Sequence, residues 1–90
     1  MRLTIVQSNL HWENADANRQ AFSQKLVPLR RGTDLVVLPE MFTTGFSMNA
    51  ASLAEPMDGP TMRWFATTAK DLGAAITGSF ICIENGQFFN

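Results

Sequence analysis

The stretch Asp34-Leu35-Val36-Val37-Leu38-Pro39-Glu40-Met41-Phe42-Thr43-Thr44-Gly45-Phe46 decides how this chain reads. Leu35 to Leu38 are four apolar residues in a row and leave no polar face. Such a run predicts a strand buried on both sides, as in a parallel sheet. Pro39 has no N–H to offer a ladder, so the strand ends there. Glu40 then stands just past the strand's carboxyl end, where open α/β sheets place their ligands. With Met41, Phe42 and Phe46 around it, its carboxyl group is expected in an apolar, concave setting that suits general acid–base work. Taken alone, a strand followed by Pro and Glu favours the plainer reading, a surface glutamate opening a loop.

Working outward, Leu3 to Gln7 reads as an opening β-strand. Asn14 or Asp16 can cap a helix that carries Ala15, Phe22, Leu26 and Leu29 at helical spacing and ends or kinks near Pro28. Gly32-Thr33 turns the chain into the Leu35–Leu38 strand. A long loop through Met48, Leu53 and Pro56 follows, with one short helical turn around Ala50. Asp58-Gly59-Pro60 signals a helix start, and Pro60 suits the first helical position. Met62, Phe65, Ala69 and Leu72 line one face of that helix, and Gly73 is placed to cap it. Ala74 to Ile83 reads as a third strand, and Glu84-Asn85-Gly86-Gln87 carries an Asn-Gly hairpin signal leading into Phe88-Phe89-Asn90. Strand–helix–strand–helix–strand order predicts an α/β fold with right-handed crossovers and a mainly parallel or mixed sheet.

The chain has 90 residues, 46% apolar and 17% charged, with a formal net charge of −1. That balance offers no electrostatic case for nucleic acid or an anionic membrane surface. No run approaches the 18 or more apolar residues of a membrane span, and Met1-Arg2-Leu3 leads straight into a strand rather than a signal peptide. A single cysteine cannot build an internal disulfide framework, which fits a reducing compartment, so a cytoplasmic protein is expected.

The segment DLVVLPEMFTTGFSMN (Asp34 to Asn49) resembles the first catalytic motif of the nitrilase superfamily, the carbon–nitrogen hydrolases. The wording MFTTGFSMN is closest to the omega-amidase branch. The likeness runs along the whole chain, through LTIVQSNLHW, the LPE strand, AAITGSF and the closing ENGQFFN. It implies an αββα sandwich, of which residues 1–90 would be the N-terminal portion of a single, incomplete hydrolase domain. It also implies a glutamate–lysine–cysteine mechanism through a covalent thioester, with no metal and no other cofactor. Glu40 matches the family's glutamate, while the family's lysine and cysteine fall beyond this chain. The substrate implied is a small carbonyl acid with a terminal amide, of the 2-oxoglutaramate type, and the full-length form would be a homo-oligomer. Phe42 and Phe46 are the candidate substrate-contacting residues.

The other candidates read as structural. Cys82 lies inside the apolar run Phe80-Ile81-Cys82-Ile83, with no nearby His or helix N-terminus to lower its pKa, so it is expected to be a buried small hydrophobe. Lys25 and Lys70 fall in the two helices. His11 is a lone histidine without a Cys or His cluster that could hold zinc. Trp64 and Phe65 read as helix packing. Asn90, after Phe88-Phe89, resembles the family's aromatic-Asn pair near the site. A nucleotide-binding module is disfavoured, because Gln7-Ser8-Asn9-Leu10-His11 has no glycine to admit a pyrophosphate. A non-catalytic interaction module keeping half the fold is the remaining alternative.

Overall fold

In the computed structural model, which describes residues 1–90, the Leu35–Val37 strand is central to a parallel sheet. We number the strands β1 (Leu3–Ile5), β2 (Leu35–Val37), β3 (Ala75–Thr77), β4 (Cys82–Glu84) and β5 (Gln87–Phe89). The parallel sheet has the order β1-β2-β3, with Leu3, Leu35 and Ala75 in register, then Thr4, Val36 and Ile76, then Ile5, Val37 and Thr77. Helix α1 (Ala15–Leu26) with a 3-10 turn at Val27–Leu29 connects β1 to β2. Helices α2 (Ala50–Leu53) and α3 (Pro60–Leu72) lie between β2 and β3.

Local chemistry accounts for the helix ends. Asn14 caps α1, its side chain accepting from the Ala17 N–H at 3.1 Å. Pro28 lacks the N–H that an α-helix would need, and the chain tightens into the 3-10 turn there. Pro60 opens α3, and Gly73 closes it in the left-handed region at φ 70°. The cap of α3 comes from outside the helix. Gly59 has no side chain, and the Glu55 carboxylate accepts from the Thr61 N–H at 2.8 Å and the Thr61 hydroxyl at 2.6 Å. Arg19 of α1 donates to Glu55 at 3.3 Å and to Thr61 at 3.0 Å, so one carboxylate ties both helices together. A negative group at a helix N-terminus is also favoured by the helix dipole.

Phe22, Leu26, Val36, Leu38, Phe42 and Leu72 form the core, with Trp64, Phe65 and Ile76 packed against it. The two crossovers put α1 and α3 on the same face of the sheet. Burial of the central strand on both sides was expected, and the structure corrects this: Val36 and Leu38 are buried under the helices, whereas Leu35 and Val37, pointing the other way, are half-buried. On that open face Leu3 and Ile5 are 56% and 67% exposed. A purified sample of residues 1–90 alone should therefore bind hydrophobic dyes or self-associate. A sharp, reversible thermal transition from a monodisperse monomer would contradict this.

A second correction concerns the third strand. The expected run from Ala74 to Ile83 is two strands in different sheets. After Thr77, Gly78 and Ser79 leave the ladder, and Ser79 accepts hydrogen bonds from the loop that follows β2. Cys82–Glu84 instead pairs antiparallel with Gln87–Phe89, and Glu55 exchanges backbone hydrogen bonds with Ile81 and Ile83 at 3.0 and 2.9 Å. Asn85 and Gly86 both have positive φ, 52° and 74°, as the expected two-residue turn requires.

Candidate active site

Glu40 sits at the carboxyl end of the central strand, one residue after Pro39. The chain is anchored on both sides of it by the segment leaving β3. Before Glu40, the Leu38 N–H donates to the Thr77 carbonyl at 2.9 Å. After it, the Met41 N–H donates to the Ser79 hydroxyl at 2.8 Å, and the Phe42 N–H to the Ser79 carbonyl at 3.1 Å. Met41 itself has φ 49°, a left-handed conformation that costs a residue with a side chain roughly 1–2 kcal/mol. Its carbonyl closes the turn by accepting from the Gly45 N–H at 2.9 Å.

This turn separates the residues expected to surround the carboxylate. Phe42 is fully buried, its ring 5.4–5.6 Å from those of Phe22, Trp64 and Phe65, so it is part of the helix-side core. Phe46 is 69% exposed and borders a groove of about 300 Å³ together with Met41, Met48, Phe88, Phe89 and Asn90. Glu40 is exposed rather than enclosed, because the turn at Met41 carries its aromatic neighbour away into the core. Its side-chain partner is Asn90, whose Nδ2 donates to Oε1 at 3.4 Å. Asn90 also lines a second cavity of about 270 Å³, beside Ser79, Phe80 and Cys82. Larger grooves run between α1 and α3, but helix residues and the turn after α1 line them, away from the strand ends.

The loops at this end are stitched together by a residue that sequence reasoning passed over. Asn18, 1% exposed, accepts from the His11 N–H at 2.8 Å and donates to the His11 carbonyl at 2.8 Å and the Thr43 carbonyl at 2.6 Å. It thereby joins the loop after β1 to the loop that carries Glu40. A signal was present: Asn18 lies four residues before Phe22 and eight before Leu26, on the inward stripe of α1. Glu13 adds a second stitch, its N–H donating to the Thr44 carbonyl at 2.8 Å while its carboxylate accepts from the Ser47 hydroxyl at 2.6 Å.

The remaining candidates take structural places. Cys82 is buried in β4, and Lys25 and Lys70 are exposed on the helices. His11 has an exposed side chain, and no group of three or more His, Cys, Asp or Glu residues is placed to hold a metal ion. No helix is long and apolar enough to cross a membrane. The arrangement offers one carboxylate for proton transfer, an amide beside it and an adjoining apolar groove, without a nucleophile.

Comparison with known proteins identifies the family. The omega-amidase YafV of Yersinia enterocolitica is 40% identical over 79 residues, and that of Escherichia coli K12 is 37% identical over 79 residues. Each alignment covers 88% of this chain but 30% of the relative, so the chain spans about a third of the length of these curated proteins. The crystal structure of XC1258 from Xanthomonas campestris, described as a CN-hydrolase superfamily protein with an arsenic adduct in the active site, superposes with a TM-score of 0.95 at 46% identity. That superposition covers 99% of this chain and 34% of the other. Residues 2–90 match the carbon-nitrogen hydrolase family, and the chain belongs to it.

Proposed function

We propose that residues 1–90 form the N-terminal part of an omega-amidase-type hydrolase, in which Glu40 is the general base and acid. The observation that carries this reading is Glu40 itself, held at the carboxyl end of the central strand by a doubly anchored turn. The 37–40% identity to omega-amidases supports the branch. The substrate class is a small carbonyl acid with a terminal amide, such as 2-oxoglutaramate.

In this reading Glu40 takes the proton of a cysteine thiol supplied by a later segment, and the thiolate attacks the amide carbonyl. A lysine, also from a later segment, stabilises the oxyanion of the tetrahedral intermediate. Collapse breaks the C–N bond, Glu40 returns the proton to the nitrogen, and ammonia leaves a thioester behind. Glu40 then takes a proton from water, which attacks the thioester and releases the acid and the thiol. In this reading the 90 residues alone should release no ammonia; the burial of Cys82 in a strand and the position of both lysines on the outer helices support that expectation.

The test is ammonia release by the full-length protein from 2-oxoglutaramate, from glutamine and from a simple aliphatic nitrile. 2-Oxoglutaramate should be the best of the three in kcat/KM. A clear preference for the nitrile, or no turnover of any amide, would overturn the omega-amidase reading.

A further inference from the structure

We infer that Ser79 is a positioning residue for Glu40, its hydroxyl holding the turn that aims the carboxylate into the site. The inference deepens the reading of Glu40 as the proton-transfer group and rests on it. Glu40 has no buried ion pair to fix it. Its side chain is exposed, and its one side-chain hydrogen bond, from Asn90, is long at 3.4 Å. The direction of the carboxylate is therefore set by the backbone on either side.

On the side leading in, the strand ladder does this through Leu38 and Thr77. On the side leading out, no ladder exists, because Met41 has turned left-handed at φ 49°. There the first acceptor is a side chain: the Ser79 hydroxyl takes the Met41 N–H at 2.8 Å. Met41 is only 6% exposed, so water has little access to replace that acceptor. The Ser79 carbonyl takes the next N–H, from Phe42, at 3.1 Å. One residue thus receives two successive amides directly after Glu40.

Gly78 makes the approach feasible. A Cβ placed there would meet Leu38 Cβ and Phe42 Cδ1 at 3.2 Å each, so a residue with a side chain would push the two segments apart. Phe42, wedged among Phe22, Trp64 and Phe65, fixes the far end of the turn. The carbonyl contact survives any substitution at 79, whereas the hydroxyl contact needs an oxygen there. The sequence pair Gly78-Ser79 is thus a close-approach residue followed by an acceptor.

The experiment compares wild type, Ser79→Ala and Glu40→Gln in the full-length enzyme, with kcat and KM for 2-oxoglutaramate and rates corrected to the folded fraction by circular dichroism. Misplacing a catalytic group by about 1 Å can cost 10²-fold, so kcat of Ser79→Ala should fall on the order of 10–100-fold, with KM within about twofold of wild type. Should Ser79→Ala not fold, Ser79→Cys fills the same space with a weak acceptor and should lose kcat in the same way. A folded Ser79 variant with kcat within about twofold of wild type, or with its loss confined to KM or to thermal stability, overturns the inference while a dead Glu40→Gln leaves the functional reading intact. A fully active Glu40→Gln overturns both.

Discussion

Glu40→Gln in the full-length protein should lower ammonia release from 2-oxoglutaramate by about 10²–10⁴-fold, the usual loss for a general acid–base group. The larger end is expected, because in the proposed mechanism the same carboxylate would serve thiol deprotonation, protonation of the leaving nitrogen and activation of water. Glutamine matches glutamate in size and keeps an oxygen that can accept from Asn90, which donates to Glu40 at 3.4 Å in the present structure. The side chain is exposed, so the change leaves no unpaired buried group. Circular dichroism and the melting temperature should therefore be close to wild type. A variant retaining more than half the activity would remove Glu40 from the chemistry.

Asn18→Ala should be the most destabilising polar substitution in this part of the protein, by about 2–4 kcal/mol in denaturant unfolding. Three backbone hydrogen bonds end on this one amide, at 2.6 to 2.8 Å. The Thr43 carbonyl is the costly one to abandon, because Thr43 is fully buried and a left-over acceptor there pays its full desolvation penalty. His11 is exposed, so water can recover part of the loss at its N–H and carbonyl. Asn18→Asp keeps the shape and one acceptor but sets carboxylate oxygens against two carbonyl oxygens, and should fare no better than alanine. Tolerance of Asp would show that packing, not hydrogen bonding, is what position 18 contributes. Activity should fall as well, since the released Thr43 lies three residues from Glu40.

The family and the place of Glu40 at a strand end were legible before any coordinates, for reasons that act over short distances. An apolar run closed by Pro39 names a central strand, and Glu40 then stands at its carboxyl end whatever the rest of the chain does. The Asn14 cap, Pro60, Gly73 and the Asn85-Gly86 turn each fix a boundary through φ/ψ preferences or a hydrogen bond spanning at most a few residues. Even the missed inward position of Asn18 was available in the four-residue spacing from Phe22.

Where each side chain ends up was decided at longer range. Phe42, next but one to Glu40, belongs to the core because a left-handed turn at Met41 swings it under α1 and α3. The expected third strand breaks after Thr77, and Ser79 serves amides 37 and 38 positions earlier in the chain instead of a ladder of its own. Glu40 is exposed because nothing within these residues closes over it. Local patterning records periodicity, capping and turn chemistry. It holds no information about which distant backbone amide a given serine or asparagine will satisfy, and only folding brings those partners into hydrogen-bond distance of each other.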